Sequence, residues 1–217
     1  MSLKLPDDVV VELVKIVPSF LWWILVLMVV LLFYKRIRDD LLPNLSGFKA
    51  AGVELSFLKK TVTSAIELAE KSPKWPVTIP EKDKELVLER VKNHAKLLQG
   101  AKILWIDDLP ENNRNETRMF DRLGVDIAFA ENTQRALAAL REKEYDLILS
   151  DMARGDEPQA GIDFLRVYAE EKQRLPIIFY IGVFKPEKGV PPGAFGITNR
   201  PDEMLHLVLD VLERRKS

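Results

Sequence analysis

The chain has 217 residues and no cysteine. Disulfide staples, thiolate metal sites and cysteine nucleophiles are therefore excluded together. Histidine is nearly as scarce: His94 and His206 stand alone, too few for an imidazole-built zinc or copper site. No charge of one sign dominates either. The 32 basic side chains face 33 acidic ones, leaving a formal net charge of −1 and no overall pull towards nucleic acid. Glycine-rich phosphate loops, Ser-His-Asp groupings, internal repeats and low-complexity tracts are all missing. With 47% apolar residues the chain is globular in composition, but those residues are unevenly spread.

Residues 16–34, IVPSFLWWILVLMVVLLFY, carry no charge. A helix of that length rises about 28 Å, close to a bilayer hydrocarbon core. Trp22, Trp23 and Tyr34 suit the headgroup zones, and Pro18 suits a first helical turn. Lys35, Arg36 and Arg38 follow at once, which keeps that flank cytoplasmic and leaves residues 1–15 outside. Asp7, Asp8 and Glu12 make this N-terminus unlike the basic region of a signal peptide, and no small-residue cleavage site follows. The expectation is a single-pass protein of the inner membrane, with residues 16–38 as span and basic flank and the lipid bilayer as one partner.

Residues 39–100 read as a connector. Residues 48–58 have strand-like and turn-like character around Gly47 and Gly52, whereas Val62, Ala65, Ile66 and Ala69 fall at helical spacing. Pro73, Pro76 and Pro80 break regular structure and read as a linker. Residues 81–98 form a charged amphipathic helix with Leu86, Val91, Ala95 and Leu98 on one face. It packs on the next domain, pairs with another copy, or serves as a solvated spacer.

From residue 101 the pattern becomes short apolar runs alternating with amphipathic helices. Strands are expected at 102–107, 125–130, 145–151, 176–182 and 194–198, and helices at 111–123, 133–143, 161–172 and 201–214. Such alternation implies right-handed βαβ units and a five-stranded parallel sheet of flavodoxin-like order. Between the fourth and fifth strands lies VFKPEKGVPPG, whose three prolines and two glycines leave at best one helical turn.

Parallel sheets place sites at the carboxyl ends of their strands. Asp107 and Asp108 end the first strand and Asp151 the third. Three converging carboxylates repel one another unless a cation sits among them. Oxygen donors in this small number suit Mg²⁺, which keeps several waters and accepts a phosphoryl oxygen. A carboxylate beside such an ion can act as nucleophile towards a phosphoryl donor. The other reading takes these acids as turn residues and helix caps.

At this point residues 101–217 resemble the response-regulator receiver domain, through LWIDD at 104–108, LILSDM at 147–152, LPII at 175–178 and GAFGITNRP at 193–201. The resemblance implies an Mg²⁺ site formed by Asp107, Asp108, Asp151 and the backbone carbonyl of Ala153, with Asp151 as phosphoacceptor. It also exposes departures. Receivers end the fourth strand with Thr or Ser, where this chain has Ile181. They carry Lys before Pro after the fifth, where this chain has Arg200 before Pro201. An Arg keeps the charge as a planar fork rather than a compact ammonium. Tyr180 points to the opposite face, and Thr198 is a candidate replacement hydroxyl. The run Arg154–Glu157 gates the pocket or is an ordinary polar loop. Lys185 and Lys188 reach the pocket or solvate it, and His206 has no obvious partner.

Three functional readings follow. The first is a membrane-anchored phosphoacceptor served by a histidine kinase or a small phosphodonor. The second is a phosphorylation-independent pseudo-receiver that acts as an interaction or homo-oligomerisation module. The third is a membrane effector that senses a small ligand.

Overall fold

The computed structural model describes residues 22–23, 28, 42–73, 75–171 and 174–216. Most of residues 16–34, the expected span, lies outside them. The three described there, Trp22, Trp23 and Met28, are helical and exposed. Among the described residues no helix is long and apolar enough to cross a membrane.

The chain divides into two compact units, Met1–Glu54 and Leu55–Ser217. Helix α1 (Leu42–Glu70) begins in the first and ends in the second. Residues 48–58 are thus helical, contrary to the strand-like and turn-like expectation. A glycine inside a helix weakens it by only about 1 kcal/mol, and here tertiary packing decides: Val62, Ala65, Ile66 and Ala69 are all buried. The described residues 71–73 and 75–80 lie between α1 and α2 (Glu81–Leu98), which bends at His94.

The second unit also contains the expected α/β domain. Its strands are β1 (Lys102–Ile106), β2 (Asp126–Ala130), β3 (Leu147–Ser150), β4 (Ile177–Tyr180) and β5 (Gly196–Thr198). All pair in parallel, in the order β2-β1-β3-β4-β5, the flavodoxin-like order. Helices α3 (Arg114–Arg122), α4 (Thr133–Glu142), α5 (Ala160–Tyr168) and α6 (Pro201–Lys216) cover its faces. A 3-10 turn, Pro110–Asn113, precedes α3. The prolines between β4 and β5 permit only another such turn, Pro186–Lys188. Asn132 caps α4, its side chain accepting the Arg135 N–H at 2.9 Å.

Alternation along β1 divides its side chains between two cores. Leu104 and Ile106 join Ile148, Phe179 and Phe164 on one face. Ile103 and Trp105 join Leu149, Phe120 and the α6 residues Leu205 and Leu209 on the other. The connector contributes to this second core through Val62, Ile66, Ile79, Val87, Val91 and Leu98. Helix α2 therefore packs on the sheet domain, against α6. The apolar face differs in one residue from expectation: Val87 is buried and Leu86 is exposed. Arg90 fastens the pair by donating to Asp210 and Glu213. His206 does have a partner, with Nδ1 lying 3.3 Å from an Arg90 nitrogen.

Candidate acidic site

Backbone pairing sets the positions of the acids. The Asp107 N–H donates to Ala130 at 3.0 Å and the Asp151 N–H to Ile106 at 2.9 Å, so both follow strands already in register. Gly161 lets α5 approach that edge, because a Cβ there would lie 2.8 Å from the Asp151 carbonyl oxygen and 2.7 Å from Phe179. Asp107, Asp108 and Asp151 converge as expected, each offering a carboxylate oxygen within 4.8 Å of the others.

The protein fixes each carboxylate with neutral donors. Asp107 accepts from the Leu109 N–H at 2.7 Å and the Asn113 amide at 2.6 Å. Asp108 accepts from the Gly155 N–H at 2.9 Å and Asp151 from the Met152 N–H at 2.7 Å. Burial pushes the Asp151 carboxyl up to about 6, with Asp107 and Asp108 adding to the rise and the Met152 N–H and Arg154 opposing it. Burial likewise raises Asp107. Negative charge is thus unfavourable here in the protein alone, and a divalent cation would offset it.

Residues expected beside the acids have other partners in the fold. The Arg200 guanidinium binds Asp202 and, at 2.6 Å, Asp83 of α2. Both carboxylates lie within reach of its planar fork, and Asp202 above all raises its pKa. The Thr198 hydroxyl is also committed, donating to Glu203 at 2.7 Å and accepting the Arg200 N–H at 3.0 Å. The cation beside the acids is Arg154, buried where the sequence suggested a gate or a polar loop. It donates to Ser150 Oγ at 3.1 Å, Thr133 Oγ1 at 3.3 Å and the Ala160 carbonyl at 2.6 Å. Ala153 lies exposed between Asp151 and Arg154, and Lys185 is exposed to solvent.

A cavity of about 130 Å³ adjoins the acids, with Asp107, Asp151 and Ile181 in its wall. Of the wall residues that sequence reasoning missed, two stand out. One is connector residue Trp75. The other is Glu116, which accepts from the Tyr180 hydroxyl at 2.9 Å while its second oxygen is buried without a hydrogen-bond partner. Burial raises the Glu116 carboxyl above its ordinary 4.5. The unfolded chain therefore releases this proton first, and stability falls as pH rises from 4.5 through the higher folded value. Glu116→Gln keeps an acceptor for Tyr180 and removes the charge. It is expected to raise the melting temperature at pH 7 by roughly 2–4 °C, with the gain fading in melts at pH 4 and below. A pH-independent difference would contradict this account.

Residues 103–189 match the family model of the response regulator receiver domain. No curated protein matches the chain. Chemotaxis response regulator CheY4 of Vibrio cholerae is a similar solved structure, 24% identical, covering 52% of this chain and 99% of its own, with a TM-score of 0.44. A receiver domain protein from Clostridium thermocellum is 21% identical, covers 54% of this chain and 97% of its own, and has a TM-score of 0.46. Response regulator TrrA from Thermotoga maritima, solved in complex with Mg(2+)-BeF, is 21% identical over 51% of this chain and 98% of its own, with a TM-score of 0.45. The parallel sheet, the acids at the ends of β1 and β3 and the family match together support a receiver domain in this chain.

Proposed function

We propose that the chain is a membrane-anchored receiver module in which Asp151 accepts a phosphoryl group. The observation that carries this reading is the convergence of three carboxylates within 4.8 Å at the carboxyl edge of a parallel sheet. Asp107, Asp108, Asp151 and the Ala153 carbonyl are the groups that would hold Mg²⁺. Bound there, the ion would offset the carboxylate charge and that of the incoming phosphoryl oxygens. Asp151 attacks phosphorus through one carboxylate oxygen as the bond to the donor's leaving group breaks, the P–N bond of a phosphohistidine or the P–O bond of an acyl phosphate. The Met152 N–H orients Asp151 by donating to one carboxylate oxygen, and Asn113 and the Leu109 N–H hold Asp107. Residues 16–34 supply the anchor, which predicts that the full chain stays with membranes after alkaline carbonate washing.

Beryllofluoride, a phosphoryl mimic, tests the assignment in the full chain. Magnesium-dependent binding, followed by fluorine NMR, is expected in the wild type and absent in Asp151→Asn. Binding that survives the substitution would remove Asp151 from the role.

Two observations favour a second reading, the phosphorylation-independent pseudo-receiver. The cavity wall at the end of β4 carries Ile181, a hydrocarbon without a hydroxyl. Arg200 is engaged by Asp83 and Asp202. A folded chain that binds no beryllofluoride would select that reading.

A further inference from the structure

The cavity beside Asp151 has walls from two parts of the chain. Asp151, Ile181 and Gly182 belong to the sheet domain, whereas Ser72, Trp75 and Val77 belong to the connector. The contact between the two is close: a Cβ on Gly182 would lie 2.5 Å from the Trp75 indole. The ring therefore rests directly on the backbone where β4 ends.

The described residues 71–73 and 75–80 border this site as a strap. Glu70 ties it internally, accepting from the Ile79 N–H at 3.2 Å and from Lys84 at 3.0 Å. A second attachment, Asp83 with Arg200 at 2.6 Å, holds the start of α2 to the residues after β5. The strap thus meets the sheet domain at the end of β4, and the start of α2 meets it after β5, the two strands that follow β3 in the sheet order.

We infer that this strap is the element through which occupancy of Asp151 leaves the site: a phosphoryl group there loosens Trp75 from Gly182. The inference rests on the phosphoacceptor reading. Its physical basis is the chemistry of the shared wall. The described lining holds Asp107 and Glu116 beside Asp151 and carries no Lys or Arg. A phosphoryl group adds negative charge and oxygens that need donors or water, and enclosing that charge among acids is unfavourable. Opening the strap admits water. Occupancy then favours the open arrangement by the difference in affinity between the two states.

The test uses the full chain in detergent, with hydrogen exchange measured at residues 71–80 in Mg²⁺ alone and in Mg²⁺ with beryllofluoride. Fluorine NMR scores binding separately. Beryllofluoride is expected to raise exchange in the strap by about fivefold or more, the lower end of ordinary coupling between sites. Gly182→Ala, which forces the indole away, is expected to raise exchange without the mimic and, by reciprocity, to tighten beryllofluoride binding by a similar factor. Trp75→Ala should tighten it too while leaving the backbone at residue 182 undisturbed. A bound mimic with unchanged strap exchange overturns the inference alone. No mimic bound to the wild type overturns the phosphoacceptor reading and this inference with it.

Discussion

A Trp105→Ala variant is expected to lose about 4 kcal/mol of unfolding free energy, the usual range for emptying a buried Trp site being about 3–5 kcal/mol. Trp105 is fully buried in the middle of β1, where neighbours close in from three directions. Its ring stacks on Phe129 at 5.9 Å and meets Phe120 at 6.4 Å and Tyr180 at 5.9 Å edge-on. Strands on both sides hold the backbone in register, so the site cannot easily collapse into the void. Trp105→Phe separates ring packing from polar burial. The indole N–H is buried without a hydrogen-bond partner, so the smaller ring discards a desolvated donor while keeping aromatic contacts. Its loss should stay below about 1.5 kcal/mol. Urea unfolding of both variants checks the pair, and equal losses would show that ring packing is not what Trp105 contributes.

The sheet and the acids were legible because both depend on short stretches of sequence. A parallel strand buried on two faces reads as a near-continuous apolar run, as in KILWI and LILS. An acid just beyond such a run lands at the carboxyl edge whatever else the chain does. The fourth-helix position was legible for the same reason, since proline acts locally. The roles of Arg200 and the connector were not, because they depend on partners distant in sequence. Asp83 and Arg200 are 117 positions apart, and nothing near Arg200 in the sequence points to a carboxylate on α2. The connector likewise left packing, pairing and a solvated spacer all open because its apolar residues are sparse. Only the docked arrangement shows that Val62, Ile66, Val87 and Val91 share a core with α6. Within the unit Leu55–Ser217, residues on both sides of position 101 therefore share one core.

Loss of Arg154 should change stability and the acidic site together. The residue lies just beyond β3, only 6% exposed, and its guanidinium reaches the Ala160 carbonyl and the hydroxyls of Ser150 and Thr133. Burial lowers its pKa, opposed by the nearby Asp151 and then Asp108. Arg154→Met preserves much of the volume but leaves these acceptors without their donor and Asp151 without its neighbouring cation. The expected loss is about 3 kcal/mol, as when one partner of a buried charged arrangement is removed. A purely structural role would end there. The charge adds a second signature, because removing a cation from an acidic cluster favours added positive charge and disfavours added negative charge. Magnesium should bind Arg154→Met tighter and beryllofluoride, at saturating Mg²⁺, weaker, each by roughly a factor of ten for an interaction of this range. Arg154→Lys keeps the charge without the fork and should retain near-wild-type ion affinities while still losing stability. Affinities that move in the same direction in Arg154→Met would show that the fold at the site has changed and not its electrostatics.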